Sequence, residues 1–90
     1  MEIERKEEQV ELLNGDILDV DFYAELTYGD WEETEEGAKY QELEDVFFHE
    51  FRLYDCDDAS FTPTEEQITE AKEIIEAEIY ACEEYNTIWD

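Results

Sequence analysis

From Leu18 to Tyr28 the chain alternates without a break. Leu18, Val20, Phe22, Ala24, Leu26 and Tyr28 take one side, and Asp19, Asp21, Tyr23, Glu25 and Thr27 take the other. A period of two belongs to an extended strand with one buried face, and so long an apolar side requires another element to cover it. The preceding "VELLNGD" supplies a turn and a partner strand, so residues 7–28 read as a β-hairpin. A two-residue Asn14-Gly15 loop would set Leu12 opposite Ile17 and Val10 opposite Asp19, mixing the faces. A three-residue Asn14-Gly15-Asp16 loop sets Leu12 opposite Leu18 and Val10 opposite Val20. Burial favours the second, with a glycine-centred bulge.

"LEDVFFHEFRLYD", residues 43–55, predicts a third strand. Phe47, His49, Phe51 and Leu53 line one face, and Val46, Phe48, Glu50, Arg52 and Tyr54 line the other. Aromatic rings lie on both, so alternation leaves the buried face open. The covering element is "TPTEEQITEAKEIIEAEIYACEEY", a helix expected over 63–85. Thr62 is its expected N-cap, with Pro63 at the first helical position and Glu65 closing a capping box. Ile68, Ala71, Ile75, Ile79 and Cys82 fall on one stripe, with Ile74 beside it. The expected fold is therefore α+β: a three-stranded, mainly antiparallel β-sheet with one C-terminal α-helix packed on one face. The chain reads as a single domain, 1–90, in which residues 29–42 form an acidic connection. In the tail, 86–90, Ile88 and Trp89 are expected to fold back over an open edge of the core.

Thirty Asp and Glu stand against five Lys and Arg, a formal net charge of −25. Such charge usually prevents folding, but 42% hydrophobic and 14% aromatic residues, with three Gly and one Pro, separate this chain from disordered acidic tails. "MEIERKEEQVELL" lacks an apolar stretch of the signal-peptide kind, and no later run reaches membrane-spanning length, so a cytoplasmic protein is expected. A negative surface is repelled by anionic lipid and by phosphates, which argues against membrane binding and direct nucleic-acid binding. The expected partners are cations or proteins with basic surfaces. Cys56 and Cys82 are too few for a disulfide framework and read as reduced, partly buried thiols.

The chain has one His and neither a Gly-rich phosphate loop nor a nucleophile elbow. His49 reads as a hydrogen-bonded packing residue, and no pair of acids stands apart as a general acid and base. No catalytic residue, cofactor or enzymatic activity is expected. "DCDDASFTPTEE" places Asp55, Asp57 and Glu66 at the first, third and twelfth positions of a calcium loop. Ala59 and Ser60 break that pattern where it is strictest, the sixth position requiring glycine. No dedicated metal site is expected.

On the helix Glu65, Glu66, Glu70, Glu73, Glu76, Glu78, Glu83 and Glu84 are opposed only by Lys72. They span ~30 Å at about 1.5 Å per residue, roughly one charge per 4 Å, against about 3.4 Å per phosphate along one DNA strand. Glu66, Glu70, Glu73, Glu76 and Glu84 share the side opposite the isoleucine stripe. "GDWEETEEG" adds Asp30, Glu32, Glu33, Glu35 and Glu36, followed by Glu42, Glu44 and Asp45, and the hairpin adds Asp19, Asp21 and Glu25. Trp31, with Tyr40 just beyond, offers apolar anchor area amid this charge, or else belongs to the core. A helix tuned for solubility alone would interleave both signs, since like charges at i,i+4 are destabilising. High-salt adaptation is the other source of such a surface.

In size and charge the whole chain resembles the acidic DNA-mimic inhibitors of phages and mobile elements, the anti-restriction and anti-CRISPR proteins among them. The resemblance rests on "DWEETEEGAKYQELED" and "TEEQITEAKEIIEAEIYACEEY". Those inhibitors share no common fold, so it implies a class and no particular residue. That class is a protein that occupies the nucleic-acid groove of a nuclease, restriction enzyme or DNA-binding regulator, in the host cytoplasm. The competing readings are an acidic accessory or assembly subunit for a basic structural protein, and a low-affinity calcium-binding module.

Overall fold

A computed structural model describes residues 1–89. Its elements are β1 (Glu2–Glu11), β2 (Ile17–Tyr28), β3 (Glu32–Glu33), β4 (Ala38–Tyr54), α1 (Glu65–Cys82) and β5 (Tyr85–Trp89). The fold is α+β, with the helix packed on an antiparallel sheet, but the sheet is not three-stranded. Its path β1-β2-β4-β3 takes in four strands, and β5 pairs with β4 beside them. The acidic connection is not a free loop either. Glu32 pairs with Tyr40 and Glu33 with Lys39, so β3 continues the line of β2 along β4. The turn between them is closed by Thr34 N–H donating to Ala38 O at 2.8 Å and Gly37 N–H to Thr34 O at 3.2 Å. Gly37 has φ +87°, a left-handed conformation that disfavours any side chain.

The hairpin loop has three residues, as expected, but lies one position earlier. Leu12 N–H donates to Asp16 O at 2.9 Å, leaving Leu13-Asn14-Gly15 as the loop. Val10 therefore pairs with Leu18, and Glu11 with Ile17. A three-residue loop needs its left-handed residue last, and Gly15 (φ +92°) meets that need. Burial fixes which side chains point inward, and the two registers differ by an even step, so hydrophobicity alone does not separate them. Leu13 is left 96% exposed at the tip.

Three irregularities decide what reaches the core. Ile3 and Val10 lie an odd number of positions apart, yet both are buried. A bulge between Arg5 and Glu8, with Glu7 at φ +57°, reverses the alternation between them. Glu7 N–H then donates to the Asp21 carboxylate at 2.9 Å, and this bond first of all holds Asp21 below its ordinary range. In β4, register shifts opposite Tyr23/Ala24 and Thr27/Tyr28 turn the strand over twice. Leu53 and Phe51 face the helix from one predicted set, Phe48 and Val46 from the other, and then Leu43. Both faces of that segment are used, in succession.

The helix is shorter than expected. Thr64, not Thr62, is the N-cap, accepting from Gln67 N–H at 3.2 Å while Gln67 Oε1 accepts from Thr64 N–H at 2.9 Å. Thr62/Glu65 and Thr64/Gln67 both have capping-box spacing. The later pair is used, and residues 62–64 run between Phe61, packed against the core, and the helix start. Ala71, Ile75 and Ile79 are buried, as the stripe predicts. The helix ends at Cys82, and β5 then pairs Tyr85 with Glu42 and Trp89 with Ala38. The side chains of Ile88 and Trp89, expected over an open edge of the core, lie outside the described residues. No helix among the described residues is long and apolar enough to cross a membrane.

β4 runs for 17 residues, ~56 Å at about 3.3 Å per residue. It is the spine of the molecule, whose extents are 54 × 22 × 19 Å. The radius of gyration, 16.1 Å, exceeds the roughly 12 Å of a compact chain of this length. The protein is a rod.

Candidate functional site

Backbone placement distributes the predicted acids along this rod. α1 runs back beside β4 until Leu43 N–H meets Glu84 O at 2.8 Å and the Tyr80 hydroxyl meets Glu44 O at 3.1 Å. Glu66, Glu70, Glu73 and Glu76 therefore occupy one half of its length. Asp30, Glu32, Glu33, Glu35 and Glu36 occupy the far end, beyond the helix, where β3, β5 and the start of β4 meet. The two sets are not one patch but lie in series. A net charge of −25 over 54 Å is about one charge per 2 Å, against about 1.7 Å of axis per charge in duplex DNA.

On the helix, Glu66 and Glu73 are exposed, but Glu70 and Glu76 are half-buried. A Glu70 oxygen accepts from Leu13 N–H and ties the hairpin tip to the helix. Leu13, Glu65, Glu66, Thr69, Glu70 and Glu73 line a shallow recess, an apolar contact amid acids that sequence reasoning missed. Lys72 does not neutralise this row, because its ammonium lies 5.6 Å over the Phe51 ring. At the far end Asp30, Glu32, Glu33, Glu35 and Glu36 are all exposed. Trp31 is 44% exposed and is not core.

Several expectations need correction. Asp19, expected on the open hairpin face, is 8% exposed and accepts from Cys56 Sγ at 2.7 Å, because the segment after β4 folds over it. That hydrogen bond, with local loss of solvent around the sulfur and the charges of Asp19 and Asp57, pushes the Cys56 thiol up. Cys56 and Cys82 are free but exposed, not partly buried. Cys82 lies on the rim of a recess between β1 and α1 lined by Ile3, Phe22, Ile75 and Ile79. His49 is hydrogen-bonded, to Glu25 at 3.1 Å, but on the solvent face of the sheet. There it meets Phe47 at 5.0 Å and Tyr23 at 5.3 Å between ring centroids, and Phe47 is 58% exposed. This aromatic strip was hidden by the bulge at His49. The adjacent Phe47 and Phe48 were its signal, since neighbours in a strand cannot share a face.

The cations are unevenly placed. Lys6 and Arg52 line one recess on that outer sheet face with Glu4, Asp21 and Glu50, while Arg5, cross-strand partner of inward Phe22, faces Glu8 at the rim of the recess between β1 and α1. Charge is largely balanced there and unbalanced along the helix and at the far end. Of the predicted calcium-loop acids Asp55 serves its own backbone, as does the neighbouring Asp58. Asp55 Oδ1 accepts from Asp57 N–H at 2.9 Å, and Asp58 Oδ1 accepts from Ser60 N–H and Oγ at 3.0 and 2.6 Å, which lowers the Asp58 pKa. Among the described residues no group of three or more His, Cys, Asp or Glu is placed to hold a metal ion.

No protein-family model, curated protein or solved structure matches the chain.

All six tyrosines register the acidic field. Tyr23 is pushed up to about 12, first by its hydrogen bond to Glu2, and Tyr54 to about 12 by burial and its bond to Asp21. Burial and nearby acids raise Tyr28 and Tyr80. The bond to Glu32 raises Tyr40, and the charges of Glu84 and Glu42 raise Tyr85. A phenol raised above its unfolded value of 10.0 holds its proton more tightly in the folded state. Its contribution is complete below pH 10 and is lost as pH climbs through about 12. The urea midpoint is therefore expected to fall steadily over that window. Phenolate absorbance should rise later for the native protein than for the unfolded chain; superimposed titrations would refute the effect.

Proposed function

We propose that the protein is a non-enzymatic inhibitor that mimics nucleic acid and blocks the basic DNA- or RNA-binding surface of a nuclease or defence protein. The supporting observation is linear charge density. A folded rod presents nearly the negative charge per length of a duplex, on carboxylates fixed along a helix and a β-turn. A basic groove built to neutralise regularly spaced phosphates meets a similar field here. The carboxylates draw the partner in and select it, while Trp31 supplies apolar contact area once the surfaces meet.

The test is a pull-down from a candidate host lysate, with and without added duplex DNA. A mimic and the duplex exclude one another, so retained nuclease is expected to be released by duplex. Retention unaffected by duplex would favour the accessory-subunit reading and overturn mimicry.

A further inference from the structure

At the far end of the rod the turn after β3, the start of β4 and β5 enclose a recess lined by Glu35, Glu36, Ala38, Tyr40, Tyr85 and Thr87. Its walls are two phenol rings at 82° to one another, with centroids 5.8 Å apart. The Tyr40 hydroxyl is pinned to Glu32 at 2.6 Å, which fixes that ring, while Tyr85 is 55% exposed. Glu42, cross-strand partner of Tyr85, adds another carboxylate. Strand alternation sends Lys39 to the face opposite Tyr40. Among the described residues the cation–π contacts lie elsewhere: Lys72 on Phe51 and Arg52 on Tyr54. The second is instructive. The Arg52 guanidinium sits 4.7 Å from the centre of a ring whose hydroxyl donates to Asp21 at 3.0 Å. Tyr40 and Glu32 repeat that tyrosine–carboxylate couple.

We propose that this recess receives an arginine side chain of the basic partner, its guanidinium stacked on Tyr85 against the edge of Tyr40 and bonded to Glu35 and Glu36. The inference rests on the reading that the partner is basic, and it names the group that is bound. Arginine fits better than lysine because a planar guanidinium stacks on a ring while donating two parallel hydrogen bonds to a carboxylate. On carboxylates alone arginine keeps only the advantage of its paired hydrogen bonds, and the stacking share of its preference belongs to the ring.

The experiment is calorimetric titration with oligoarginine and oligolysine peptides of equal length at moderate salt. The parent is expected to bind the arginine peptide about 5-fold more tightly. Tyr85→Ala should remove the stacking share and shrink the difference while leaving oligolysine binding nearly unchanged, and Tyr85→Phe, which keeps the ring, should retain it in full. Equal affinities in the parent, or a preference that Tyr85→Ala leaves undiminished, would overturn the proposal. Should Tyr85→Ala not fold, ring-proton shifts in the parent decide. Arginine peptide should move Tyr40 and Tyr85 more than Tyr28, and uniform shifts would refute the site. No DNA enters this assay, so the recess and the mimicry stand or fall separately.

Discussion

Replacing Glu66, Glu73 and Glu76 by Lys, and Glu70 by Gln, is expected to leave the fold intact and to cripple displacement of DNA from a partner. Glu70 is treated differently because its oxygen holds the hairpin tip at Leu13, and a glutamine oxygen still accepts that bond. The four changes lie away from buried Ala71, Ile75 and Ile79. They remove a run of like-charge neighbours, so thermal stability should hold or rise. Association should slow by on the order of 100-fold at low salt, because steering by an opposed field accelerates encounter by about 10 to 1,000-fold. The difference should shrink as salt screens the field. Trp31→Ala should leave association alone and speed dissociation, as expected for an exposed aromatic contact. Stopped-flow mixing across a salt series separates the two. If the quadruple variant displaces DNA at low salt as well as its parent, the helix is not the mimicking surface.

Ile75→Ala should come close to unfolding the protein. Ile75 is 1% exposed, at the centre of the helix stripe facing β1, β2 and β4. Truncating such a side chain costs about 2–5 kcal/mol, against roughly 5–15 kcal/mol for a whole small domain. Here the margin is narrowed by repulsion among carboxylates. The variant is therefore expected to be largely unfolded at low ionic strength and to regain helix as salt is added. Circular dichroism across a salt series, with urea midpoints, measures both. A loss below about 1 kcal/mol, or a melting temperature indifferent to salt, would contradict this picture.

The inward face of β2 and the stripe of α1 were legible because each repeats at the period of its element. The bulges were not, although odd spacing between buried residues, as with Ile3 and Val10, is their trace. β3 could not be read at all: two exposed glutamates have no apolar pattern, and backbone pairing with Lys39 and Tyr40, with the Tyr40 hydroxyl on Glu32, holds them. The exposed acids at 30–36 followed from charge alone. The apolar features beside them, Leu13, Phe47 and the Tyr40–Tyr85 recess, depend on turn register, a bulge and a distant strand.

The helix stops where Leu43 begins, and β4 continues beyond it between β3 and β5 alone. One strand thus passes through two regions of different local stability. Amide exchange is therefore expected to be slower around Phe48–Leu53, whose hydrogen bonds lie under the helix-covered core, than at Ala38–Glu42, which belongs to a narrow ribbon. A rigid half sets the spacing of the helix carboxylates, and the compliant half carries Trp31 and the tyrosine recess. On the proposed function, a ribbon that yields before the core does would let one rod meet grooves that differ in curvature at one end.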